Sequence, residues 1–160
     1  RLDDESLEQI DPLLRSIAAD LRSGGASEPA EQLGDIVHAF GLVSVQIDVD
    51  GSLPDDVHVA AAFLQIIREA STNATKHAQA HQVQVRLWQE VSDGGAIAHM
   101  TVSNDGAPAP VSYREGTGIP GMRHVAQNLG GSLEVHAAPP FTLAVSIPLN
   151  SNATVQRRSS

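Results

Sequence analysis

The stretch FLQIIREASTNATKHA, Phe63 to Ala78, constrains this chain more than any other. Val59, Phe63, Ile66, Ile67, Ala70 and Ala74 recur at three- and four-residue steps, the pattern of an amphipathic helix with one apolar stripe. Along one edge of that stripe lie Glu69, Asn73, Lys76 and His77. At about 100° per residue the four fall in one sector on successive turns. A carboxylate, an amide, an ammonium and an imidazole are thus crowded beside a buried seam, which costs stability unless something polar is bound there. A nucleotide with its Mg²⁺ suits such a surface. Taken alone, Glu-x-x-x-Asn is too short a signal to separate this from a surface helix whose polar residues are simply solvated.

The rest of the chain is arranged around that helix. Leu2, Leu7, Ile10, Leu14, Ile17 and Leu21 predict a first helix, with Pro12 kinking or restarting it. It reads either as an ordinary packing helix or as the end of a longer helix from a dimerising bundle. The hinge SGGAS, Ser23 to Ser27, favours the second. Another helix is expected from Pro29 to about Phe40, ended by Gly41, and then a strand over Leu42 to Val49. Asp50-Gly51 makes a turn, and Asp55 or Asp56 can cap the central helix. Val83 to Gln89 and Ala96 to Ser103 form a hairpin about the turn Ser92 to Gly95. A loop without periodicity, Asn104 to Thr117, precedes a helix from Ile119 to Leu129 that Gly130-Gly131 stops. Two closing strands, SLEVHA and FTLAVSIP, complete the order. Sequential hairpins with interleaved helices predict an α+β fold: a two-layer α/β sandwich with one mixed, mostly antiparallel sheet and helices on one face.

The chain of 160 residues is large enough for one core without staples, and it contains no cysteine for disulfides or thiolate metal sites. Its formal charge of −9 leaves no basic stripe for phosphate backbones, so nucleic acid is not an expected partner. Residues 150–160, with Arg157 and Arg158, read as a disordered Ser/Asn-rich tail. No run approaches a membrane span and no signal-peptide pattern is present. The first residue is Arg rather than Met, which reads as a fragment of a longer chain.

Three stretches fall in line: REASTNATKHA (Arg68 to Ala78), VSNDG (Val102 to Gly106) and GTGIPGMRHVAQNLGGSLEV (Gly116 to Val135). In this order and spacing they resemble the ATP-binding (Bergerat-type) domain shared by gyrase, the heat-shock chaperone, sensor histidine kinases and the mismatch-repair ATPase. The closest likeness is to sensor histidine kinases of the NarL/DesK type, over roughly residues 28 to 149. Each motif is weak alone; the three together are fairly specific.

The resemblance implies roles residue by residue. Asn73 matches the Mg²⁺ ligand that holds the nucleotide phosphates, a neutral oxygen suited to a hard ion. Glu69 matches the residue that polarises the attacking group or orients Mg²⁺-bound water. Lys76 and His77 can donate to phosphate oxygens, His77 equally being a helix histidine with a local hydrogen bond. Asn104 stands where many relatives carry the Asp that accepts from the adenine amino group, followed by Asp105 and Gly106; its carbonyl can still accept that bond. Gly116, Gly118 and Gly121, with Ile119 and Met122, occupy the phosphate loop and the helix start, whose free N–H groups suit anionic oxygens. The loop Ala107 to Glu115 fits a short ATP lid, with Tyr113 or Arg114 as nucleotide contacts. Relatives show glycines before the last strand where this chain has Pro139-Pro140-Phe141-Thr142, and Thr142 is the candidate to take part of that role.

No histidine here has the acidic-residue/His/Asp setting of a phosphoacceptor, so the acceptor is expected upstream. The implied organisation is residues 1–22 as the end of a dimerisation and phosphoacceptor hairpin, 23–27 as hinge, 28–149 as the ATP-binding catalytic domain and 150–160 as tail. The implied activity is that of a protein-histidine kinase using ATP and Mg²⁺. Its implied partners are a response regulator and a second copy of the chain, paired through the upstream hairpin. The expected location is the cytoplasm, with membrane anchoring of a longer protein left open. Two rival readings are a serine kinase of the anti-sigma-factor type and a nucleotide-binding, dimerising pseudokinase.

Overall fold

A computed structural model describes residues 28–106, 118–137 and 140–149, the side chain of His77 excepted. The first predicted helix, its hinge, the lid loop with Gly116, and the tail lie outside these residues. The described elements run α1 (Pro29–Gly41), β1 (Gln46–Asp50), α2 (Val57–His77), β2 (Gln82–Ser92), β3 (Gly95–Asn104), α3 (Ile119–Asn128), β4 (Ser132–His136) and β5 (Thr142–Pro148).

The five strands form one sheet in the order β1-β2-β3-β5-β4. β1 runs parallel to β2, and the other three pairings are antiparallel. Each inner strand alternates. Val83, Val85 and Leu87 of β2, Ala98, Met100 and Val102 of β3, and Leu143, Val145 and Ile147 of β5 are buried. Their neighbours on the other face, such as Arg86, Trp88 and His99, are exposed or half-buried. With a period of two, one face of the sheet therefore carries the core and the other is polar. The helices cover the apolar face, which is the expected two-layer α+β sandwich. On the polar face Trp88 stacks on His99 at 5.2 Å, and Glu90 and Ser146 bracket the His99 ring at 2.9 Å each.

α2 is the axis of the helical layer. Asp56 caps it, its Oδ1 accepting from the backbone N–H of His58 at 2.9 Å and of Val59 at 3.1 Å. The helix packs against α1, α3 and the centre of the sheet, so its buried surface is wider than one stripe. Ala60, Ala62, Leu64, Ser71 and Thr75 are buried beside the six predicted residues. Thr75 satisfies its hydroxyl by donating to the Ser71 carbonyl at 2.8 Å.

Two local expectations are corrected. Gly41 does not end α1 with a left-handed turn: the helix includes it, Leu42 remains right-handed, and the positive φ of 66° falls on Ser44. The first strand is shorter than its alternation suggested. Val43 and Val45 are buried, but Val45 donates its N–H to the Phe40 carbonyl at 3.0 Å, so ladder pairing starts only at Gln46. Gly130 does stop α3 as expected, at φ 79°.

Candidate functional site

The third motif meets the first where α3 begins. Gly118 is the N-cap of α3 and adopts φ 97°, a conformation open to glycine and strained for other residues. A Cβ built there would stand 3.1 Å from Asn73 Nδ2, 3.7 Å from Asn73 Oδ1 and 3.5 Å from Glu69 Oε1. Glu69 and Asn73, one turn apart on α2, are both half-buried. A carboxylate, a carboxamide and the free N–H groups of a helix N-terminus thus share one small space. Carboxylate and carboxamide oxygens are hard donors of the kind Mg²⁺ takes, and the N-terminus of α3 suits phosphate oxygens. The donor set fits a metal-bound polyphosphate.

Among the described residues, nothing lies within 4 Å of where a Cβ on Gly121, in the first turn of α3, would stand. Nothing in the packing of the described residues requires glycine there, although glycine in a helix costs about 1 kcal/mol relative to alanine. Room for a group outside the chain is a sufficient reason. Lys76 is exposed one turn beyond Asn73, and His77 is the last residue of α2.

The second motif sits at the C-terminal end of β3. Asn104 is 9% exposed and continues the inward-facing row of Ala98, Met100 and Val102, on the helix side of the sheet. Its Oδ1 accepts from the N–H of Gly106 at 2.8 Å. That closes an Asx turn and leaves the oxygen's second lone pair for a further donor. Gly106 is glycine for a steric reason: a Cβ there would lie 2.4 Å from the carbonyl oxygen of Ala78, the C-cap of α2. The expectation tied Gly106 to approach of a purine; the contact observed is with α2. Asp105 reaches back to the start of β2, accepting from the N–H of His81 and of Gln82 at 2.9 Å each. Burial alone would raise its pKa, but these two N–H groups, its own N–H and the nearby His81 outweigh burial and hold it below the usual carboxylate value.

Three expected contacts are placed differently. Ile119 and Met122 are 0% and 2% exposed and lie in the hydrophobic core, so they seat α3 on the fold. Thr142 pairs with Ser103 and His136 on the polar face of the sheet, opposite to Asn104, and its hydroxyl donates to the Pro140 carbonyl at 2.8 Å. The residue next to Asn104 is Phe141, whose carbonyl accepts the Asn104 N–H at 3.2 Å and whose side chain packs partly against the core. Strand alternation carried back from Leu143 was the signal that could have found it. Gly116 lies outside the described residues.

Among known proteins, residues 58–151 match the family model described as histidine kinase-, DNA gyrase B-, and HSP90-like ATPase. The chain is 30% identical over 125 residues to "Sensor histidine kinase MctS" of Rhizobium johnstonii, an alignment covering 73% of this chain and 26% of that protein. It is 36% identical over 90 residues to "Sensor histidine kinase DesK" of Bacillus subtilis, covering 53% of this chain and 22% of that one. The chain therefore spans only a small part of these relatives. In fold it resembles the blue-light activated histidine kinase of Erythrobacter litoralis EL346, with a TM-score of 0.62 at 23% identity, covering 92% of this chain and 55% of the other. It also resembles the ATP binding domain of PrrB from Mycobacterium tuberculosis, with a TM-score of 0.55 at 17% identity, covering 72% and 90%. The family match covers more than half of the chain and includes Glu69, Asn73, Asn104 and Gly118: the chain belongs to the histidine kinase-, DNA gyrase B- and HSP90-like ATPases.

Proposed function

We propose that this chain is the nucleotide-binding catalytic unit of a sensor histidine kinase. It binds Mg²⁺-ATP and passes the γ-phosphate to a histidine upstream of Arg1, for relay to a response regulator. The observation that carries the reading is the convergence of Glu69 and Asn73 on the Gly118 N-cap, 3.1 to 3.7 Å from the place a Cβ would take. Relatives named as sensor histidine kinases support it.

Glu69 and Asn73 supply the oxygens that would hold Mg²⁺, which when bound neutralises phosphate charge. The N-terminus of α3 takes phosphate oxygens through its free N–H groups, and Gly118 and Gly121 keep that approach open. Lys76 and His77, in the last turn of α2, are the candidates to donate to phosphate oxygens. Asn104 accepts from the adenine amino group through its remaining lone pair. Glu69 orients the acceptor nitrogen as it attacks, while the protein otherwise works by positioning and charge stabilisation. Two copies associate through an upstream helical hairpin that presents the acceptor.

The test is incorporation of labelled phosphate from ATP, with and without the acceptor hairpin joined upstream of Arg1 or added in trans. Transfer only in the presence of the hairpin, with the acid lability of phosphohistidine, is expected. Glu69→Ala should reduce transfer more than binding. Acid-stable label on serine in the isolated chain would favour a serine kinase of the anti-sigma-factor type. Binding without transfer in every arm would favour a pseudokinase.

A further inference from the structure

We propose that Asp105 is a positioning residue for base selection, a clasp that fixes the Asn104–Gly106 turn against the end of α2. The inference rests on the nucleotide-binding reading of the site and adds to it a residue that touches neither phosphate nor base.

Asp105 is tied at both ends of its own residue. Its Oδ1 accepts from two consecutive backbone N–H groups, His81 and Gln82, at 2.9 Å each, and its own N–H donates to the Gln82 carbonyl at 3.1 Å. Three hydrogen bonds therefore join the turn at the end of β3 to His81 and Gln82, where β2 begins. The chain between α2 and β2 is short and includes Gln79 at φ 55°, a costly conformation for a residue with a side chain. Ala80 in this segment is buried, and its N–H returns to the Ala74 carbonyl at 3.1 Å. The segment is thus a rigid strap from the helix that carries Asn73 to the strand beside Asn104. On the other side of Asp105, Gly106 lies directly on Ala78.

Asn104 is consequently held from three directions: by its Asx bond to Gly106, by its N–H to Phe141, and through Asp105 to the strap after α2. The carboxamide has only one lone pair to offer a base, so its aim depends on the turn being fixed. The charge of Asp105 serves this better than a neutral acceptor would, because hydrogen bonds to an ionised acceptor are shorter and stronger. The pairing is solvent-exposed, but both N–H donors belong to the backbone and cannot rotate away.

The experiment is calorimetric titration of the 160-residue chain and of its Asp105→Ala and Asp105→Asn variants with Mg²⁺-ATP and with Mg²⁺-ITP, whose base lacks the amino group. The readout is the ratio of the two affinities. Partial unfolding lowers both affinities alike and leaves that ratio unmoved. The wild type is expected to prefer ATP, Asp105→Ala to lose most of that preference with an ATP affinity about tenfold lower, and Asp105→Asn to lose less of it, about two- to fivefold, its amide oxygen still accepting but without the charge. An unchanged ratio in Asp105→Ala overturns the clasp, as does a wild type that does not distinguish ATP from ITP. Where Asp105→Ala does not fold, Asp105→Asn decides: a ratio reduced about two- to fivefold supports the clasp, and an unchanged ratio overturns it. A wild type that binds neither nucleotide overturns the nucleotide-binding reading itself, an outcome distinct from these.

Discussion

Gly118 stands over Asn73 with no room to spare: a Cβ on the glycine would lie 3.1 Å from the Asn73 amide nitrogen. The two residues come from motifs 45 positions apart in the chain, and α2 and α3 pack so that they meet. The distance ties a backbone requirement on one helix to a side-chain position on the other.

Gly118→Ala is therefore expected to harm binding beyond its effect on the fold. The residue keeps φ 97°, so alanine there costs about 1–2 kcal/mol of backbone strain. The new methyl also displaces the Asn73 carboxamide. Thermal melting should show the first effect, and titration with Mg²⁺-ATP at a temperature where the variant is folded should show the second. Full affinity in a folded Gly118→Ala would contradict the placement of Asn73.

Gly106→Ala tests a steric statement instead. The added carbon would sit 2.4 Å from the Ala78 carbonyl oxygen and 2.6 Å from the Ala78 Cβ. Backbone on both sides must shift, which is overpacking of about 1–3 kcal/mol. Urea unfolding is the measurement, and a loss below about 0.5 kcal/mol would show that the turn moves freely away from α2.

Asn104→Asp should restore charge at the base position. A carboxylate accepts more strongly than a carboxamide, by roughly 1 kcal/mol. ATP affinity and the preference for ATP over GTP are each expected to rise about fivefold. Competition binding reads both. Equal competition by GTP and ATP in the parent chain would count against Asn104 as the adenine acceptor.

Asp105 predicts a pH dependence with a definite sign. Its folded pKa lies below the ordinary carboxylate value, so the unfolded chain takes up the proton first as pH falls. Its contribution to stability is complete above the ordinary value, about pH 4, and is lost as pH falls through the folded one. The nearby His81 acts in the same direction, favouring the ionised carboxylate. The melting temperatures of wild type and Asp105→Asn should differ near neutrality and converge in acid. A difference that persists unchanged in acid would remove the carboxylate from the account.

How much of this was legible depends on whether a residue's role is periodic or contextual. The α2 stripe, the hairpin around Asp93-Gly94 and the sandwich architecture follow from local repetition, and the sequence pattern carries them. The shared edge of Glu69 and Asn73 on α2 was legible because a polar edge beside an apolar seam is itself a pattern. The core position of Ile119 and Met122 was not legible, because an apolar residue beside a glycine-rich loop looks the same whether it faces a ligand or the core. Thr142 was named a candidate, but strand parity, fixed only once Leu143 is known to be buried, sends it to the polar face. The bonds of Asp105 to His81 and Gln82 cross more than 20 residues of sequence, and no local pattern announces them.

The most direct measurement of the central claim is calorimetric titration of the chain and of Asn73→Ala with Mg²⁺ and a non-hydrolysable ATP analogue. Asn73 flanks the core without filling it, so the variant should keep its fold, which circular dichroism checks. The wild type should bind, and the variant should bind at least about tenfold more weakly, because a metal ligand beside the phosphates is gone. Equal affinity in the two folded proteins would contradict the site.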